Sequence, residues 1–361
     1  MTQVKIIDLY LSGGGVKCSY QIALIKYLLS EKKFIDNYTI RNIYSVSFGS
    51  FIGHAIMNGT INELEKIFLN LKSQDDILKK NFDFWGMRKY FMKIPLFGKY
   101  LCSMSDMIWL INGILGKGFY MFDIGYEILN KLQLSNVSKN SNISDNKKFY
   151  CYVYNVTKNK LECINSQHPF FQKYIIASCS YWGLFKPVLI KQLKSECNCN
   201  NDCTSDCKNQ HNESNNFCDP SKNECECLKH QYNEYIDGGI EQIHPFVNLR
   251  HSEDDIDNNN IIHLLLATDD LTQENPREFT TGNNIIEYLV NIINYNLDKK
   301  SFSLAQKWHN KNHIIINYSP PVDVPNDINK EKIKQMFEDG KNIGIELLNK
   351  LNLDSQVGNL A

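Results

Sequence analysis

Two apolar runs near the start of the chain, each closed by a turn of small residues and followed by an amphipathic stretch, constrain the fold more than any other feature. The first run, Val4–Leu11, ends at Ser12 and Gly13-Gly14-Gly15, and Ile22, Ile25, Leu28 and Leu29 then recur on one helical face. The second, Ile40–Val46, ends at a turn around Ser47 and leads into a helical stretch, Ser50–Met57, closed by Gly59. Neighbouring parallel strands need a crossover between them, and a helix is the usual one. Strand, turn and helix repeated in this order therefore predict an α/β fold, with a mainly parallel central sheet between layers of helices. Phe149–Val156, Ile262–Thr268 and His313–Tyr318 read as further strands, and Ile285–Tyr295 and Lys332–Leu351 as further helices. With no internal repeat visible, residues 1–361 read as one domain.

Two stretches interrupt that pattern. Residues 83–122 combine aromatic side chains such as Trp85, Phe91 and Trp109 with Arg88, Lys89, Lys93 and Lys99. That mixture favours a lipid interface and suggests a lid touching membrane; a helical excursion packed over the core is the alternative. Residues 194–230 are polar and nearly free of aliphatic side chains, which marks an inserted loop. Of the 12 cysteines, seven crowd into it: Cys197, Cys199, Cys203, Cys207, Cys218, Cys225 and Cys227. In a reducing compartment such density favours structural Zn²⁺, although disulfides or an unstructured loop also fit and the spacing matches no common finger pattern.

Bulk properties narrow the rest. A net charge of −1 offers no global field for nucleic acid, and none is expected as a partner. The N-terminus lacks a signal-peptide pattern, and no apolar run approaches the roughly 18 residues of a membrane span. The expected location is cytoplasmic, with any membrane contact peripheral.

The chemistry-bearing residues lie at the turns. Ser47 follows a strand and opens a helix, a geometry that exposes Oγ and aims the next backbone amide, of Phe48, at a developing oxyanion. Gly49 provides the small residue that lets strand and helix pack closely, while Ser45 stands at the matching position upstream. Gly13, Gly14 and Gly15 present unshielded amides suited to an anion, and Lys17 follows them. The spacing fits neither a nucleotide phosphate loop nor a dinucleotide fingerprint, since no Gly-Lys-Ser/Thr closes it and Cys18 interrupts it. Two adjacent strands thus aim donors and a nucleophile at the same carboxyl edge, where ligands of open α/β sheets collect. Asp237, at a strand end before Gly238 and Gly239, is a carboxylate that could take the serine proton directly. A Ser-Asp-His triad through His244, His251 or His263 is the rival, but that hydrolase fold places its serine turn after several strands.

Taken in order, these elements resemble the patatin-like phospholipase family. That family carries a Gly-Gly-Gly-x-Arg/Lys loop (here Gly13–Lys17), a Gly-x-Ser-x-Gly elbow (Ser45–Gly49) and an Asp-Gly-Gly/Ala motif (Asp237–Gly239). The segment Ala177–Pro187 is similar to its Ala-Ser-x-Ala-x-Pro-x-x-Phe-x-Pro stretch, with Ser180 for Ala and Trp182 for Pro, as Ser45 stands for Gly in the elbow. The resemblance implies a three-layer patatin-like fold and Ca²⁺-independent hydrolysis of acyl esters in phospholipids or other lipids, with no catalytic cofactor. It implies Ser47 as nucleophile, Asp237 as base, the Gly13–Gly15 loop and Phe48 as oxyanion hole, and Lys17 steadying the loop or facing lipid phosphate. A catalytically impaired lipid-binding or scaffolding protein is the reading from another class, resting on Ser45.

Overall fold

Alternation along the first strand assigns the two faces of the sheet. In β1 (Lys5–Leu11), Ile7, Leu9 and Leu11 point to one side, while Asp8 and Tyr10 point to the other. The computed structural model describes residues 4–72, 76, 79–80, 120–121, 123–134, 147–181, 185–191, 232–245, 261–269, 271–272, 285–308, 312–321 and 329–357. After β1 come α1 (Ser19–Ser30), α2 (Lys32–Asn37), β2 (Tyr38–Val46), α3 (Gly49–Asn58) and α4 (Ile61–Leu69). Two short strands, β3 (Lys79–Lys80) and β4 (Tyr120–Met121), pair antiparallel apart from the main sheet. α5 (Asp123–Leu134), β5 (Lys148–Asn155), β6 (Lys160–Asn165), α6 (Phe171–Ser178), β7 (Val188–Lys191) and β8 (Tyr232–Asp237) follow. The chain continues through β9 (Ile261–Leu266), α7 (Ile285–Lys307), β10 (His313–Ile316) and α8 (Lys330–Val357).

The main sheet has eight strands in the order β10-β9-β1-β2-β5-β8-β7, with β6 also paired to β5. From β10 to β5 the neighbours run parallel. Beyond that point β8 runs antiparallel to β5, and β7 antiparallel to β8. Ile7, Leu9, Ile43, Phe149, Val153 and Leu264 form the larger core with α1, α3, α4, α5, α6 and α8. The opposite face carries Tyr10, Tyr44 and Tyr152, covered by Ala305 of α7 and by Trp308. On that face Tyr10, Tyr44 and Tyr150 stack in a row across three strands, with centroids 4.9 and 5.0 Å apart. The two helical layers and the sheet between them match the expected fold class, and the helices expected near Ile285 and Lys332 are longer than their apolar cores suggested. Among the described residues, no helix is long and apolar enough to cross a membrane.

Register near the second strand depends on one bulge. Ile7 pairs with Ile40 but Asp8 pairs with Asn42, so Arg41 is the extra residue. Its guanidinium reaches back to the fully buried Asp8, with Nε donating to Oδ1 at 3.1 Å and Nη2 to Oδ2 at 2.7 Å. Because side chains alternate, a one-residue slip would turn the end of β2 over. The ion pair thus holds β2 in the register that delivers Ser47 to the carboxyl edge. The Arg41→Met substitution would leave the Asp8 carboxylate buried without its ion pair, and a loss of about 3 kcal/mol in urea unfolding is expected. Adding Asp8→Leu should recover most of that loss.

Candidate active site

β5 brings the key residues together. β6 takes one of its edges along Tyr150–Asn155, so β2 and β8 share the other edge end to end. β2, running parallel, reaches Val46 opposite Tyr152; β8, running antiparallel, reaches Asp237 opposite Val153. Their carboxyl ends therefore converge on neighbouring rungs. Ser47 Oγ donates directly to Asp237 Oδ2 at 2.7 Å, although the two residues lie 190 positions apart.

Ser47 adopts a left-handed backbone, with φ 51°, one of two non-glycine residues with positive φ among those described. Such a conformation in a residue with a side chain persists only where surrounding structure imposes it. Here β2 arrives and α3 leaves within two residues, and α3 begins so close to the end of β1 that position 49 admits only glycine. A Cβ on Gly49 would lie 2.6 Å from the Leu11 carbonyl oxygen and 2.9 Å from that of Ser12. The flank that departs from the family pattern is accommodated. Ser45 is fully buried, with Oγ 3.0 Å from Ser50 Oγ and 3.2 Å from the Tyr150 carbonyl.

Asp237 is almost entirely buried, and loss of solvent pushes its pKa up from 3.8 to about 7. Two hydrogen bonds to the carboxylate oppose that rise, from Ser47 Oγ and from the Gly239 amide at 2.7 Å to Oδ1. Gly238 lies against the Tyr152 carbonyl, where β8 meets β5. The Asp237 amide donates to the Ser180 carbonyl at 3.0 Å, which fixes the backbone that carries the carboxylate.

The glycine loop follows β1 and turns through two left-handed positions, Gly14 (φ 143°) and Gly15 (φ 56°). Among the described residues, the Gly14, Gly15 and Phe48 amides donate to no protein acceptor, the condition an anion site requires. Gly13 departs from the expected set. Its amide donates to the Ile243 carbonyl at 3.0 Å and its carbonyl accepts from Thr268 Oγ1, so it anchors the loop and offers no free N–H. Lys17 also takes one of its two expected roles. Its side chain is buried and Nζ pairs with Asp269 at 3.2 Å, which ties the loop inward.

Histidine does not intervene between serine and carboxylate. His244 is buried, with Nδ1 2.6 Å from Ser12 Oγ, and burial lowers its pKa to about 4. His263 Nδ1 meets Tyr10 OH at 3.1 Å on the opposite face of the sheet. His251, residues 83–119 and 122, and the cysteines from Cys197 to Cys227 lie outside the described residues. Among the described residues no cluster of His, Cys, Asp and Glu is arranged to hold a metal. Two contributors had no role assigned from the sequence: Ser178, whose Oγ accepts from the Ser47 amide at 2.8 Å, and Ile243, whose carbonyl accepts the Gly13 amide behind the glycine loop.

No curated protein matches the chain. A solved structure of VipD from Legionella pneumophila is similar at 14% identity with a TM-score of 0.42, covering 96% of this chain and 67% of that one. The family description "Patatin-like phospholipase" matches residues 9–250, a span that holds the glycine loop, the serine turn and the Asp-Gly-Gly turn. The chain belongs to the patatin-like phospholipase family.

Proposed function

We propose that this protein is a serine lipid acyl hydrolase of the phospholipase A type, working through a Ser47–Asp237 dyad and an acyl-enzyme. The observation that carries the reading is the direct hydrogen bond from Ser47 Oγ to a buried carboxylate whose pKa stands near 7. A base poised near the working pH is half ionised there, yet basic enough to take a hydroxyl proton as the nucleophile attacks. Ser47 Oγ adds to the acyl carbonyl and its proton passes to Asp237. The carbonyl oxygen becomes an oxyanion facing the Gly14, Gly15 and Phe48 amides, with the N-terminus of α3 adding its dipole. Asp237 then delivers the proton to the leaving alcohol oxygen as the tetrahedral intermediate collapses. Water, deprotonated by the same carboxylate, releases the fatty acid.

Family membership supports lipid as substrate class, and a lipid substrate favours peripheral contact with a membrane or micelle. The aromatic and basic residues of the 83–122 stretch have the composition of a lid at that interface. The density of seven cysteines supports structural Zn²⁺ in the 194–230 insertion. Metal analysis of the purified chain tests the insertion: bound zinc is expected, and free thiols with no metal would exclude it.

The mechanism is tested on a fluorogenic phospholipid in mixed micelles. Ser47→Ala should abolish hydrolysis, and Asp237→Asn should lower kcat about 10³-fold, within the range of general-base catalysis. Loss on Ser47→Ala with survival on Asp237→Asn would overturn the dyad.

Protonation of Asp237 sets two opposite pH trends. On a neutral short-chain ester, kcat/KM should rise through about pH 7 and level off above it. Stability should move the other way. The folded-state pKa lies above the unfolded value of 3.8, so ionisation is harder in the fold. The destabilisation is absent below about pH 4, grows toward pH 7 and is constant beyond. Asp237→Asn should flatten that part of the stability profile, measured by urea unfolding across the range.

A further inference from the structure

Where β2 leaves β5, the backbone ladder loses a rung. Val46 pairs with Tyr152, but the chain then turns away into α3, and the Ser47 amide has no backbone acceptor among the described residues. A side chain from α6 fills the gap. Ser178, fully buried, accepts the Ser47 N–H on Oγ at 2.8 Å and donates its own proton to the Tyr152 carbonyl at 2.7 Å. One oxygen thus bridges the rung that the elbow breaks.

That oxygen also ends a chain of buried hydroxyls. Ser45 Oγ lies 3.0 Å from Ser50 Oγ, which donates to Ser178 Oγ at 3.2 Å. The Ser45 proton is shared between Ser50 Oγ and the Tyr150 carbonyl, Ser50 gives its proton to Ser178, and Ser178 fills both lone pairs and its donor. Two residues on, the Ser180 carbonyl accepts the Asp237 amide at 3.0 Å. The last residue of α6 therefore holds the backbone of the nucleophile, and Ser180, two residues past the helix end, holds that of the carboxylate.

We infer that Ser178 is a positioning residue of the hydrolase, bridging the Ser47 amide to the Tyr152 carbonyl so that the strained elbow keeps Oγ on the Asp237 carboxylate. The inference rests on the proposed Ser47–Asp237 chemistry. Ser178 touches neither substrate nor the reacting oxygen; it acts through the backbone of Ser47. Without it the left-handed conformation at Ser47 relaxes, and misplacement of the nucleophile by about 1 Å is enough to cost on the order of 100-fold in rate.

The test uses the full chain and a soluble short-chain ester. Hydrolysis is counted per active site by saturating fluorophosphonate labelling, and melting is followed in parallel. Ser178→Ala and the near-isosteric Ser178→Cys should lower kcat per labelled site about 10- to 100-fold with KM within about twofold. Ser178→Thr, which keeps the hydroxyl, should return kcat to within about threefold of wild type. A purely structural role predicts lower melting temperatures with kcat per site unchanged, and that result in whichever of the Ala and Cys variants folds would overturn the inference. A Thr variant that folds and is as slow as the Ala variant would overturn it too. Wild-type hydrolysis that survives Ser47→Ala would instead sink the dyad reading on which the inference rests.

Discussion

Everything at the carboxyl edge depends on how one strand is shared. β5 receives β2 and β8 along the same edge, one parallel and one antiparallel, so that two chain ends meet over Tyr152 and Val153. Had β8 run parallel, its carboxyl end would have pointed away from Ser47 and its amino end would have met the elbow. The reversal of direction is thus the topological fact that makes a two-residue site possible. A carboxylate brought in head-on reaches the serine oxygen without the length of an imidazole between them. The bulge at Arg41 completes the arrangement from the other side by setting which face of β2 arrives at the meeting point.

Burial then converts proximity into chemistry. A solvated aspartate is too weak a base for a serine hydroxyl, whereas Asp237 loses its hydration and becomes a stronger one. The same desolvation would neutralise the carboxyl outright if nothing opposed it; the Ser47 hydroxyl and the Gly239 amide oppose it. Lys17 and Asp269 show a different solution a few residues away. There a charge drawn inward is met by an opposite charge, which anchors the glycine loop without placing a free cation near the carboxylate. Ser12 and His244 add a neutral contact behind the loop, since burial keeps that imidazole uncharged.

Legibility in the sequence followed locality. The serine turn, the glycine loop and the Asp-Gly-Gly turn were readable because each is a few adjacent residues whose backbone demands are visible in their types. The parallel strands were readable from apolar runs bounded by turns. β6 and β7 were not: after an exposed Lys160, β6 is half-buried from Leu161 to Asn165 with no alternation to mark it, and β7 has four residues. The antiparallel sense of β8, on which the site depends, leaves no local mark at all. Tertiary pairings hid the remaining details. Gly13 reads as an oxyanion donor until Ile243 takes its amide, and Lys17 reads as steadying the loop or facing lipid phosphate, with nothing local to mark Asp269 as its partner. Ser45, a departure when set beside the family pattern, becomes an ordinary buried hydroxyl with two neighbours.

The shared edge of β5 has a consequence for when the protein can become active. During synthesis the elbow and the glycine loop emerge early, but the carboxylate that would activate the serine lies 190 residues later and is held only once β8 has docked on β5. The loop itself waits longer still, because Thr268 and Asp269, which hold Gly13 and Lys17, follow β9. A nascent or truncated chain therefore carries a serine with no base and a glycine loop with no anchor. On the proposed Ser47–Asp237 chemistry, a half-made protein would stay quiet toward lipid until the last non-local strand pairings form.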